Sequence, residues 1–245
     1  MSCLRIDRRG AVTLFTIDNA AKRNALSQAT ALDLQRGFAE FDADASQRVA
    51  VITGAGNEAF TAGADLNDIP EFWRCTPGAG IVTDKPIIAA IAGWCIGGGI
   101  TLTATCDLAV AAENTKFSYP EAKIGLTQGF ITALAARIPQ KVAMEVMLLG
   151  RQMDAQRAYE VGLINQVTPV GQQLEVALAM AEEIAGMAPL VIRTIKRFVG
   201  QIIPQSPSEI YARTLQQLDA IRLSEDLEEG KRAFKEKREP RFEGR

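Results

Sequence analysis

Three consecutive glycines, Gly97-Gly98-Gly99, are the residues of this chain best suited to holding a ligand by backbone alone. They follow an apolar β-type run, Ile87-Ile88-Ala89-Ala90-Ile91-Ala92-Gly93, and precede a segment, 100–109, that can continue as a helix. Without a Cβ, glycine lets a ligand reach bare N–H groups. A helix N-terminus behind them adds positive potential. Such a site suits an oxygen that carries, or is about to carry, negative charge. A second small-residue stretch, Ala62-Gly63-Ala64-Asp65-Leu66, offers the Ala64 N–H in the same way. Two donors on one oxygen form an oxyanion hole, each worth roughly 3–4 kcal/mol at a transition state. Two readings stand at this point, because a buried glycine turn between closely packed elements also explains the triple glycine.

The chain of 245 residues contains no histidine. Ser-His-Asp triads, Cys-His nucleophiles and H-E-x-x-H zinc sites are therefore excluded, and no metal site is expected. Acid–base work must come from carboxylates, Lys, Tyr, Cys or water. Cys3, Cys75, Cys95 and Cys106 show no C-x-x-C spacing and read as reduced thiols of a cytoplasmic protein. With 27 basic and 29 acidic residues the net charge is −2, which gives no general field for nucleic acid. No apolar run approaches the roughly 20 residues of a membrane span, and the start, Met1-Ser2-Cys3-Leu4-Arg5-Ile6-Asp7, lacks a signal-peptide core.

The elements that must position these residues follow from periodicity. Segments 4–6 and 11–17 read as a strand pair turning at Arg9-Gly10. Ser27 suits the N-cap of a helix over 29–42, whose apolar face carries Leu32, Leu34, Phe38 and Phe41. Strands are predicted over 48–53, 86–92, 107–112 and 115–118, and 69–84, with Pro70, Pro77, Gly78 and Gly80, reads as a loop or short-helix insertion. Beyond Gly129 the texture is helical, over 130–137, 141–149, 155–161, 174–186, 189–203 and 207–228, with a charged tail from Lys231. Alternating strands and helices followed by helices predict an α/β core, 1–188, and a helical C-terminal region, 189–245. Gly54-Ala55-Gly56-Asn57-Glu58-Ala59 matches a dinucleotide-binding pattern, but no amphipathic helix follows, so a tight turn after a core strand is expected.

Taken in order, several stretches resemble the crotonase, or enoyl-CoA hydratase/isomerase, family. They are Lys22-Arg23-Asn24-Ala25-Leu26, Phe60-Thr61-Ala62-Gly63-Ala64-Asp65-Leu66, the run from Lys85-Pro86 into Gly97-Gly98-Gly99, and Lys116-Phe117-Ser118-Tyr119-Pro120-Glu121. Ala158-Tyr159-Glu160-Val161-Gly162-Leu163-Ile164 and the tail Phe234-Lys235-Glu236-Lys237-Arg238-Glu239-Pro240-Arg241-Phe242 complete the series. The resemblance implies a ββα spiral core and an acyl-coenzyme A thioester as substrate. The Ala64 and Gly98 N–H groups would hold its oxygen. Ala62, Asp65, Leu66 and Asn67 would line the acyl-CoA pocket, Lys22 would meet the CoA phosphates, and Lys237 the nucleotide end. Coenzyme A would enter as part of the substrate, with no permanently bound cofactor. A homotrimer, or a hexamer built as a dimer of trimers, is implied through the C-terminal helices, where Ile210, Leu215, Leu218 and Ile221 form an apolar stripe that an intramolecular core face explains equally well.

Hydratases of that family carry two glutamates, one two residues past the third glycine and one after the proline of the x-Pro-Glu element. Here the second is Glu121, but the first position holds Thr101. A threonine hydroxyl orients water but cannot take its proton near neutral pH. One carboxylate suits a proton shuttle between two carbons of an enoyl chain, so double-bond isomerisation by Glu121 is the favoured expectation. An apolar pocket should raise its pKa. Hydration assisted by a residue from 69–84 and a non-catalytic acyl-CoA-binding paralogue are the alternatives. Gln128 and Phe130 also depart from the hydratase pattern of proline and small residues. Asp68 and Tyr119 are candidate substitute acids, expected respectively to face the loop and to pack beside the site.

Overall fold

The computed structural model describes residues 3–245, so Met1 and Ser2 of the N-terminal reading lie outside the described residues. Ten strands form two sheets. The larger contains β1 (Leu4–Arg9), β2 (Val12–Ile17), β3 (Val49–Gly54), β5 (Ile87–Ile91), β7 (Leu108–Ala112) and β10 (Gln166–Thr168), in the order β1-β2-β3-β5-β7-β10. The smaller contains β4 (Ala59–Thr61), β6 (Trp94–Ile96), β8 (Lys116–Ser118) and β9 (Met153–Asp154), in the order β4-β6-β8-β9. Pairing is parallel except for β1 on β2 and β9 on β8.

Among the described residues nine α-helices accompany them: α1 (Gln28–Ala43), α2 (Gly98–Thr105), α3 (Glu121–Ile124), α4 (Gln140–Leu149), α5 (Ala155–Glu160), α6 (Gln173–Ala185), α7 (Pro189–Ile202), α8 (Pro207–Arg222) and α9 (Glu225–Glu236). Three successive passes each send one strand into each sheet and then turn through a helix. These are β3, β4 and the 3-10 turn Phe72–Cys75; β5, β6 and α2; β7, β8 and α3. The chain thus winds as the expected strand–strand–helix spiral.

The central strands β2, β3, β5 and β7 of the larger sheet are buried on both faces, as parallel strands require. Val12, Leu14, Val49, Val51, Ile88, Ala90 and Val110 pack against Ala177 and Ala181 of α6, whose small side chains let the helix approach closely. Phe15, Ile17, Ala50, Ile52, Ala89 and Ile91 face the main core, shared with α1 and the smaller sheet. Ser27 accepts the Thr30 N–H at the start of α1, as its sequence suggested. Phe15 stacks on Phe38 with ring centroids 4.0 Å apart, and Phe41 meets both edge-on. At the other end, buried Lys85 donates to the Phe41 and Asp44 carbonyls at 2.7 and 2.8 Å, which satisfies orphan acceptors of the last turn.

Several expectations are corrected. The triple glycine follows β6 of the smaller sheet, and not directly the strand β5. Strands β4, β6, β9 and β10 have two or three residues each, too few to show a period of two. The segment 207–228 is two helices, because Ser224 caps a new one by accepting the Leu227 N–H, and α9 carries the charged tail as far as Glu236. Segment 130–137 is a 3-10 helix, Phe130–Ala136. Gly54 begins a tight turn straight into β4, where a Cβ would meet the Phe60 carbonyl at 2.3 Å. No dinucleotide-type helix follows it.

Candidate active site

Strands β4, β6 and β8 lie side by side and point the same way, with Thr61 opposite Cys95 and Ile96 opposite Ser118. Their carboxyl ends therefore open on one edge, where ligands of parallel sheets commonly bind. Ala62-Gly63-Ala64-Asp65 leaves β4, Gly97-Gly98-Gly99 leaves β6, and Tyr119-Pro120-Glu121 leaves β8. Neighbouring exits are in direct contact. The Gly97 N–H donates to the Ser118 carbonyl at 2.9 Å. Gly63, at φ +84°, lies so close to the second exit that a Cβ would sit 3.0 Å from the Ile96 carbonyl oxygen.

The two candidate donors are exposed by local geometry. Gly98 opens α2, so its N–H is one of the four without an intrahelical acceptor. Around Ala64, Leu26 donates to the Gly63 carbonyl and accepts from the Asp65 N–H, both at 2.8 Å. That bridge uses the groups on either side of the Ala64 N–H. Among the described residues, neither N–H has an acceptor.

Glu121 opens α3 and does not pair with Lys123. Its Oε1 packs against Gly97, where a Cβ would come within 2.1 Å of it. Its Oε2 is buried without a hydrogen-bond partner. Burial pushes this carboxyl up to about 7, since an unpaired buried charge is costly. An orphaned carboxylate oxygen beside two free backbone donors can take a proton from carbon while those donors hold the resulting anion. Gly97→Ala should therefore cost at least about 100-fold in kcat, because φ +57° is strained for alanine and the methyl evicts the carboxylate. A steady-state comparison with wild type checks this, and near-normal turnover would contradict the packing.

No second carboxylate joins Glu121 from the insertion. Asp68 accepts the Gln28 N–H at 3.2 Å, Glu71 is held by Gln28 and Arg74, and Asp84 pairs with Arg197. Tyr119 packs as expected, its hydroxyl 2.9 Å from Thr127 Oγ1 and its phenol pushed up by burial. Thr101 is buried on α2, two residues past the triple glycine. Cys75 and Cys95 are buried, with thiols pushed up to about 12, so neither is a ready nucleophile.

Among the expected CoA-pocket residues, Lys22 and Asp65 are brought together, Nζ to Oδ2 at 2.8 Å. That hydrogen bond raises the Lys22 pKa and lowers that of Asp65. The Asn67 N–H also donates to Asp65, Leu66 is exposed, and the Ala62 N–H donates to the Arg23 carbonyl. Buried Asn24, in the left-handed region where Asn is tolerated, holds this corner by donating to the Ala55 and Ala59 carbonyls. Lys237 closes α9, which packs on α8, and no hydrogen bond or ion pair ties it to the strand exits. A cavity of about 690 Å³ between α9 and the tail is lined by mixed charges, Glu229 being already paired with Arg232 and Arg238.

The sequence reading missed Phe72. Its ring leans on Gly98 so closely that a Cβ there would lie 2.3 Å from Cε2. The signal was an aromatic pair, Phe72-Trp73, inside a segment read as a loop or short-helix insertion.

Comparison with known proteins agrees with this arrangement. The model of the enoyl-CoA hydratase/isomerase family matches residues 7–74 and 79–245. A carnitinyl-CoA dehydratase of Escherichia coli O157:H7 is 34% identical over 258 residues, covering 99% of this chain and 98% of that protein. The structure of a carnitinyl-CoA dehydratase from Mycobacterium avium 104 gives a TM-score of 0.78 at 35% identity over the whole of both chains. That of an enoyl-CoA hydratase from Mycobacterium tuberculosis H37Rv gives 0.76 at 33% identity, again over both whole chains. With its motifs in the family's order and wound into the same spiral, this chain belongs to the enoyl-CoA hydratase/isomerase (crotonase) family.

Proposed function

We propose that this acyl-CoA enzyme moves a proton along an enoyl thioester, with Glu121 as its single base. The buried, unpartnered Oε2 of Glu121 beside Gly97 carries this reading. The thioester oxygen accepts from the Ala64 and Gly98 N–H groups. Glu121 takes a proton from C2 of a 3-enoyl thioester, and the electron pair delocalises into a dienolate. The same carboxyl returns the proton to C4, leaving the double bond conjugated at C2. No water is consumed, so a second carboxylate is not needed. Coenzyme A enters as part of the substrate, with Ala62, Asp65, Leu66 and Asn67 along its pocket and Lys22 and Lys237 toward its phosphates and nucleotide.

A second reading is hydration of a 2-enoyl thioester, or its reverse. It draws on the similar proteins, which are a carnitinyl-CoA dehydratase and an enoyl-CoA hydratase. It requires Glu121 to serve both water and carbon, with Thr101 only orienting the water. Purified protein given 3-enoyl-CoA is expected to form the conjugated 2-enoyl product. Hydration of 2-enoyl-CoA without that isomerisation selects the second reading. If neither occurs and a bound saturated acyl-CoA takes up no deuterium from D₂O, both fail and a non-catalytic binder remains.

Assembly into a trimer or hexamer belongs to the same proposal. The exposed Leu190, Ile195, Phe198 and Ile202 of α7, with Ile210, Leu218 and Ile221 of α8, favour it. A cytoplasmic setting is favoured by Cys75, Cys95 and Cys106, which form no disulfide. Among the described residues, no helix is long and apolar enough to cross a membrane.

A further inference from the structure

We propose that Phe72, held in place by Gln128, restricts this enzyme to short acyl chains. This inference rests on the enolate reading above. Gly97 and Gly98 carry the two walls of the reaction space on consecutive residues. The Cα of Gly97 faces the Glu121 carboxylate, and that of Gly98 faces the Phe72 ring, whose Cε2 and Cζ lie 2.3 and 2.6 Å from where a Cβ would stand. A thioester whose oxygen rests on the Gly98 N–H and whose C2 reaches Glu121 must therefore send its tail past this ring.

The ring is fixed from several sides. Phe130 meets it edge-on with centroids 6.2 Å apart. Gln128 clamps the backbone of this segment at two points. Gln128 Oε1 accepts the Phe72 N–H at 3.0 Å, and Nε2 donates to the Pro70 carbonyl at 2.8 Å. The Gln128 carbonyl in turn accepts from Ser208 of α8 at 3.2 Å, and Arg74 of the insertion pairs with Asp219 of the same helix. The segment that carries Phe72 is thus pinned at both ends to a long helix. A ring held in this way cannot swing aside cheaply, so it excludes added methylenes instead of accommodating them.

The test measures affinities of four-, eight- and twelve-carbon saturated acyl-CoAs, which need no chemistry, for wild type, Phe72→Ala, Phe72→Leu and Gln128→Ala. Circular dichroism and melting checks accompany each variant, and Phe72→Leu serves if the alanine variant does not fold. Wild type is expected to prefer the four-carbon ester over the twelve-carbon ester by at least about tenfold. Phe72→Ala or Phe72→Leu should erase or invert that ratio. Gln128→Ala, a change at a positioning residue, should move it in the same direction, which a purely structural role would not do. A folded Phe72 variant that binds acyl-CoA with the wild-type length preference overturns the proposal alone. Failure of wild type to bind any acyl-CoA overturns it together with the reading on which it rests.

Discussion

Glu121→Gln is expected to lower kcat by about 10²–10⁴-fold while acyl-CoA affinity stays near that of wild type. Glutamine keeps the shape beside Gly97 and the two backbone donors but cannot accept a proton from carbon. The pH dependence gives a second readout. A base must be ionised to act, and burial holds this carboxyl at about 7. In wild type, kcat/KM should therefore rise with pH through about 7 and level off above it. The residual activity of the variant should lack that step. Stability should show the opposite trend. The folded pKa is raised, so the folded state binds more protons than the unfolded chain between the ordinary carboxylate range and about 7. This contribution to stability is complete below the unfolded pKa and is lost as pH rises through about 7. Glu121→Gln should thus melt higher than wild type at pH 8 and differ little at pH 4. Unchanged turnover in the variant would remove Glu121 from the mechanism.

Asp219→Ala is expected to destabilise the fold strongly, although Asp219 lies on α8 and away from the reacting atoms. Arg74 is 7% exposed, and its Nη1 and Nη2 donate to both carboxylate oxygens of Asp219. That pairing raises the Arg74 pKa and lowers that of Asp219. Removing the carboxylate leaves a buried guanidinium with Glu71 as its remaining charged partner, a loss of about 3 kcal/mol. For a chain of this size that corresponds to a fall in Tm of roughly 6–12 °C. The double variant Arg74→Met/Asp219→Ala should recover part of the loss, because it removes the stranded charge as well as its partner. Calorimetry of wild type and both variants checks this. An Asp219→Ala variant melting with wild type would show that Arg74 finds water or another acceptor at no cost.

The two effects meet at the 69–84 insertion. Its sequence, with Pro70, Pro77, Gly78 and Gly80, reads as a loop or short-helix insertion, and Phe72–Cys75 forms a 3-10 turn. In the folded chain Phe72, Trp73, Arg74 and Cys75 are buried. The nearby carboxylates Asp68, Glu71 and Asp84 are committed to α1, α7 or Arg74. These pairings commit all three carboxylates to partners other than Glu121. Burial of the insertion also explains why a segment without periodicity can shape the acyl pocket. Its order comes from partners 56 to 145 residues away, Gln128 and Asp219, which no local window contains.

Long, strongly patterned elements were legible in the sequence. The β1–β2 pair, α1 with its Ser27 cap, the buried strands β3, β5 and β7, and the start of α7 at Pro189 all follow from local chemistry. The residue types at the site were legible for the same reason. Glycines mark close approach, the absence of histidine restricts the base to a few groups, and the spacing around Glu121 carries the family resemblance. The tertiary structure alone decided that these residues meet. Strands β4 and β6 have only three residues each and no period to read, and their parallel pairing with β8, the strand expected over 115–118, is what delivers Ala64, Gly98 and Glu121 to one edge. It also decided the state of Glu121. Whether a carboxylate is paired, solvated or stranded depends on what the rest of the chain packs around it, and here its Oε2 is left buried without a partner.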